Sequence, residues 1–223
     1  MEKLTNSEFD RRADLADWRI LLGRIEAHFR AGSFANASAF VQQIAAAADA
    51  AIHHPDIDLR YPDHVYVVLT THAAKGLTDQ DIDLASTISA IAKAANYASL
   101  PLSTMRVEVA IDALHIDLVR PFWKAVLGYV DEAPTEAGGQ VIALLDPAGI
   151  GPGFWFQQMD EPRPQRSRIH IDVIVPHDIA EQRVAAALAA GGTLVTAQYA
   201  RSFWLLADAE GNEACICTWL DRD

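Results

Sequence analysis

The 223-residue chain is 51% hydrophobic and 22% charged. No run approaches the ~18 apolar residues of a membrane-spanning helix, so no membrane partner is expected, and the length leaves room for two buried cores. A formal charge of −12 argues against nucleic acid as a partner, because a phosphate backbone is held by clustered Lys and Arg.

The opening segment MEKLTNSEFDRRADLADW alternates acid and base and has no apolar stretch of the signal-peptide kind, so a cytoplasmic location is expected. Trp18–Leu22 and Arg24–Arg30 read as two short strands around Gly23, closed by Gly32 and Ser33. From Asn36 the period changes: Ala37, Val41, Ile44, Ala48 and Ile52 recur at spacings of three and four, the stripe of an amphipathic helix. His64–His72 alternates, with Tyr66, Val68, Thr70 and His72 on one face and Val65, Val67, Leu69 and Thr71 on the other. Gly76 breaks the strand. Thr78 with Asp81 three residues on resembles a capping box opening a second helix through Ile82, Ala85, Ile88, Ala92 and Ala95. Residues 1–96 thus read β, β, α, β, α. Tyr97–Met105 loses periodicity and carries Pro101, so it is the expected linker between domains at 1–98 and 106–223.

The second half repeats itself. Val107–Leu114 and Ile169–Pro176 are strand-like, and each leads into a helix, about Leu118–Leu127 and Ile179–Ala190. The stops Gly128 and Gly191, the strand ends Asp146 and Asp208, and the glycines Gly149 and Gly211 keep nearly one offset, which predicts two tandem βαβββ modules. Arg163–Arg168, with two prolines, reads as the loop between them. Cys215 and Cys217 are too close for an ordinary disulfide and too sparse for a zinc site, and they fit a strand in a reducing compartment.

His53 and His54 follow the first helix directly, and Pro55 requires the helix to end there. Together with His72 and Asp81 they are groups at element ends, where active-site side chains commonly project, and imidazole both gives and takes protons near neutral pH. The run Asp49-x-x-x-His53-His54-Pro55-Asp56, then Tyr61, Val65–Leu69, Thr71-His72, Gly76-Leu77-Thr78, Asp81 and Leu84-Ala85 resembles the signature of pterin-4a-carbinolamine dehydratases. Ile57 stands where that family commonly has tryptophan, and Asp49 where glutamate is usual.

The resemblance implies an α+β fold with an antiparallel sheet and helices on one side, and a lyase that dehydrates 4a-hydroxytetrahydropterin to the quinonoid dihydropterin without metal or cofactor. It implies acid and base roles for His53 and His72, pterin binding by His54, and a histidine oriented by Asp81. Asp49, Pro55, Asp56 and Thr71 would line the substrate site. A small-molecule pterin is then the expected partner, with a homodimer or larger homo-oligomer as the assembly.

Phe122-Trp123-x-x-x-Leu127-Gly128-Tyr129, Phe156-Gln157, Arg168-x-His170-x-Asp172 and Asp208-x-Glu210-Gly211-Asn212-Glu213 resemble a glyoxalase-like domain of the vicinal oxygen chelate superfamily. That resemblance implies a cleft between paired modules. Its metal slots fall on Glu108 and His170, and near Gln157 and Cys215, with Glu213 close by; a metal-free binding cleft is the alternative, because His, Glu, amide and thiol together are not a set that one ion clearly selects. Phe154, Trp155, Phe156, Phe203 and Trp204 read as core. Two other functions stay open: a pterin-like binding module, or a chain whose main activity lies in its C-terminal half.

Overall fold

Leu22 and Gly23 both take positive φ, 50° and 74°, which matches the twist of a two-residue hairpin turn and joins β1 (Trp18–Leu21) to β2 (Arg24–Arg30). The computed structural model describes residues 2–12, 15–132, 143–163, 165 and 169–221. It divides into two units, Met1–Arg106 and Val107–Asp223.

In the first unit a short helix α1 (Asn6–Arg12) precedes the hairpin, and α2 (Phe34–Ala51) follows it, its first turn capped by Ser33 Oγ, which accepts from the Asn36 N–H at 3.1 Å. Then come β3 (Asp56–Arg60), β4 (His64–Leu69), a turn of 3₁₀ helix at His72–Ala74, α3 (Asp79–Ala94) and β5 (Ala98–Ser99). The sheet is antiparallel in the order β1-β2-β4-β3, and β5 pairs with the end of β2 that β1 does not reach. Alternation along β4 buries Val65, Val67 and Leu69 against Phe40 and Ile44 of α2 and Leu84 and Ile88 of α3, so the helices share one side of the sheet.

Three strand-and-helix expectations change. The strand from His64 stops at Leu69, and a bridge between Thr71 and Gly76 folds His72 into the 3₁₀ turn. Helix α2 ends at Ala51, leaving Ile52 outside the stripe and 83% exposed. The stretch after Tyr97 is not a free linker: it forms β5 and a 3₁₀ turn at Pro101–Ser103, the Ser103 hydroxyl bonds the His28 ring, and Arg106 Nε lies 2.5 Å from the carboxylate of buried Glu26.

The second unit is two βαβββ modules, as the repeat predicts. The first is β6 (Glu108–Ala113), α4 (Ile116–Leu127), β7 (Val130–Asp131), β8 (Ala143–Leu145) and β9 (Gly153–Gln158); the second is β10 (Ile171–Ile174), α5 (Ala180–Ala189), β11 (Thr193–Thr196), β12 (Phe203–Ala207) and β13 (Glu213–Cys217). Each sheet has its first strand parallel to its last, in the orders β6-β9-β8-β7 and β10-β13-β12-β11. One core of Phe122, Trp123, Phe154, Phe156, Trp204 and Leu206 joins them. Trp155 and Phe203 face the other side of their strands and are only partly buried.

The repeated aspartates explain why the offset persists. Asp146 accepts backbone N–H groups of Ala148, Ile150 and Gly151, while Asp208 accepts those of Glu210 and Asn212, so each folds the turn into its module's last strand. Asp208 also accepts from the Trp123 indole at 2.9 Å, and Glu210 accepts from the Leu114 and His115 N–H groups at 2.9 and 2.6 Å, tying the second module to the start of α4.

Candidate active site

The site begins with the way α2 ends. Ile52 takes the left-handed conformation, φ 50° and ψ 39°, costly for a β-branched residue, and the His53 N–H reaches back to the Ala48 carbonyl at 3.1 Å. That reversal turns His53 inward, where it is 7% exposed, and leaves His54 exposed.

His53 Nε2 lies 2.8 Å from Asp81 Oδ1, and Asp81 is fully enclosed at the first turn of α3. The other oxygen, Oδ2, accepts from the Thr71 hydroxyl at 2.8 Å and from the Thr78 N–H at 2.7 Å, while the Thr71 and Thr78 hydroxyls bond each other at 2.8 Å. The capping box is therefore present with aspartate, and its carboxylate has a second task. Three segments of the chain meet at one carboxylate. An ionised carboxylate only accepts, so a neutral His53 ring would donate from Nε2 and keep its lone pair on Nδ1.

The remaining expected residues are dispersed around this pair. His54 Nε2 bonds Asp49 Oδ1 at 2.9 Å on the surface. Pro55 is half-buried, Asp56 is exposed at the start of β3, and His72 is exposed in the 3₁₀ turn. Among the described residues no hydrogen bond joins His72 to His53, His54 or Asp81. Thr71, expected to touch substrate, is buried with its hydroxyl spent on Asp81 and Thr78, because the bridge to Gly76 pins it beneath the carboxylate. Thr78 was legible only as a cap. Ile57 points from β3 towards the helices and packs against the core. Two cavities of about 300 and 450 Å³ occur elsewhere in this unit, one beside Ser89, Lys93 and Tyr97 and one beside α1 and β1, and neither contains a site histidine.

The opposite face of the sheet carries a second histidine group. His28 is buried, its Nε2 2.6 Å from His64 Nδ1 and its ring stacked on Tyr66 at 3.9 Å; burial, followed by the neighbouring His64, lowers its pKa to about 4. A ring kept neutral there is a packing element bonded to Ser103 and His64.

In the second unit, Glu108, His170 and Glu213 do not form one ligand set among the described residues. His170 instead lies within 4.8 Å of Asp172 and Cys215. Arg168 lies outside the described residues. The Cys215 thiol is pushed up to about 12 by burial and by the adjacent Asp172 carboxylate, so it is a poor free nucleophile.

Residues 2–91 match the family model for pterin 4 alpha carbinolamine dehydratase. A relative from Chloroflexus aurantiacus, provisionally named pterin-4-alpha-carbinolamine dehydratase, is 44% identical over 92 residues, which is 41% of this chain and 98% of that protein. The chain belongs to the pterin-4a-carbinolamine dehydratase family. Residues 108–217 match the model for a glyoxalase-like domain, so the dehydratase family member carries a second, fused unit. A crystal structure described as a transcriptional coactivator/pterin dehydratase from Brucella melitensis is 32% identical, spans 41% of this chain and 99% of its own, and has a TM-score of 0.37. A glyoxalase/bleomycin resistance protein/dioxygenase family enzyme from Burkholderia phytofirmans is 20% identical, spans 50% of this chain and 95% of its own, and also has a TM-score of 0.37. No helix among the described residues is long and apolar enough to cross a membrane.

Proposed function

We propose that the first unit is a hydro-lyase that converts 4a-hydroxytetrahydropterin to the quinonoid dihydropterin through histidine acid/base catalysis, without metal or cofactor. The observation that carries this reading is the buried His53–Asp81 pair, with His54 and His72 on exposed neighbouring segments. In the reaction the C4a–O bond breaks and the departing hydroxyl takes a proton to become water; a base removes the N5 proton, and that electron pair closes the C4a=N5 bond. One group must give a proton and another accept one on the same ring system.

We assign those two roles to His53 and His72. Asp81 is a positioning residue that holds His53 in the Nε2–H form, with Thr71 and Thr78 holding Asp81 in turn. His54, kept in place by Asp49, would bind the pterin, with Pro55 and Asp56 beside it at the entry to β3. The second unit would bind a small molecule of its own. The replacement of the family tryptophan by Ile57 supports the alternative of pterin binding without efficient turnover.

The test is turnover on freshly generated 4a-hydroxytetrahydropterin, with His53→Ala and His72→Ala compared at matched circular dichroism. Each should lose about 10²-fold or more, the scale of one general acid or base. Wild-type turnover no faster than the spontaneous reaction would sink the lyase reading.

A further inference from the structure

The resemblance to glyoxalase-like domains leads one to look for a metal held between modules by His and Glu, and the described residues do not supply that set. We propose that the second module alone holds a zinc-class divalent cation through His170, Asp172 and the Cys215 thiolate, with a fourth position left to water or a ligand.

Strand pairing creates the arrangement. β10 runs parallel to β13 with Asp172 directly opposite Cys215, so their side chains emerge side by side on one face of the sheet. His170 lies two residues before Asp172 and shares that face, with its Nε2 3.3 Å from Asp172 Oδ1. Ile171 and Val173, on the opposite face, pack into the core and fix the strand that carries the set. All three ligand atoms lie within 4.8 Å of one another. Ligand atoms around a tetrahedral zinc stand about 3.5 Å apart, so closure takes roughly an ångström, and His170 precedes the first paired residue of β10 and is free to supply it.

The donor types select the ion. Thiolate, imidazole and carboxylate together suit zinc or cobalt and disfavour calcium and magnesium, which take oxygen ligands. Cys215 is buried whereas His170 and Asp172 are about half exposed, so the cation would meet solvent on one side, as in zinc sites that keep an open position. As the S–Zn bond forms, the thiol proton leaves to solvent and the thiolate charge is neutralised by the metal. Glu108 lies on the other module's first strand, outside this set.

The experiment uses the full chain, stripped with a chelator, then titrated with Zn²⁺ by calorimetry and with Co²⁺ by absorption. The chain has eight histidines, so binding alone is not enough; the deciding signal is the thiolate-to-cobalt charge-transfer band. The band should appear at a single equivalent and vanish in Cys215→Ser. His170→Ala and Asp172→Asn change exposed side chains, so both should fold, and each should weaken Zn²⁺ by about tenfold or more. Glu108→Gln and Cys217→Ser should behave as wild type. Absence of the band in the wild type, its survival in Cys215→Ser, or its loss in Glu108→Gln would each overturn the proposal.

Discussion

Replacing Asp81 by asparagine changes one atom in the most enclosed part of the histidine site. The amide nitrogen has two places to go. At Oδ2 it would face the Thr78 backbone N–H at 2.7 Å, a donor that cannot turn away; at Oδ1 it faces only His53, whose ring can answer by moving its proton. The amide therefore settles with nitrogen towards His53, Nε2 becomes the acceptor, and the proton shifts to Nδ1. Three short bonds, from His53, Thr71 and Thr78, pass from a charged acceptor to a neutral group, at about 1 kcal/mol each, so the first unit should lose about 3 kcal/mol and still fold. With the lone pair on the wrong nitrogen, turnover should drop by about 10²- to 10⁴-fold while pterin binding changes little. Long-range ¹H–¹⁵N NMR reads the tautomer, amide exchange in α3 reads the stability, and single-turnover kinetics reads the chemistry. If Asp81→Asn kept turnover within about twofold of wild type with Nε2 still protonated, the positioning role of Asp81 would be wrong.

Other outcomes follow from the same structure. In the folded chain His28 titrates near 4 and in the unfolded chain near 6.5, so between those values the unfolded state binds the extra proton and stability falls as pH falls, by up to about 3 kcal/mol at pH 4. Amide exchange of β2 and β4 across that range should show the slope, and His28→Gln should flatten it; an unchanged slope refutes the assignment. Glu210→Ala strips an anion from two N–H groups at the start of α4 and should cost about 1–2 kcal/mol in a thermal melt, whereas Glu210→Gln should cost less. Light scattering on the full chain should give a dimer or larger, and a monomer at micromolar concentration would end that expectation.

The elements most legible in the sequence were those whose burial pattern is regular. Val65, Val67 and Leu69 alternate without interruption, and the apolar positions of α2 and α3 keep helical spacing, so sheet and helices could be placed before any coordinates. β3 was missed because Asp56 and Asp58 are poor strand formers; both face solvent, and the strand is held mainly by its pairing with β4. β5 is two residues long and α1 is seven, too short for a period to show. At the site, His53 and Asp81 could be named from order along the chain, but their different burial could not. The inward turn of His53 depends on Ile52 adopting a backbone that its residue type disfavours, and nothing local in the sequence announces the bridge that buries Thr71. The His170, Asp172 and Cys215 cluster depends on parallel register between strands that are distant in sequence.

The segment that follows β5 sets where the chain can be cut. A truncation placed at the end of the helical periodicity, near residue 98, would remove the hydroxyl that Ser103 gives to His28 and the cation that Arg106 gives to Glu26, leaving a buried carboxylate with no counter-charge on a surface newly opened to water. Such a fragment would expose part of the back of its own sheet and invite association there for reasons unrelated to the native chain. A fragment carried through Arg106 takes its cover with it. Experiments that separate the two units should therefore divide the protein after that arginine, so that any loss measured in the shorter piece is a loss of the partner unit and not of the seal.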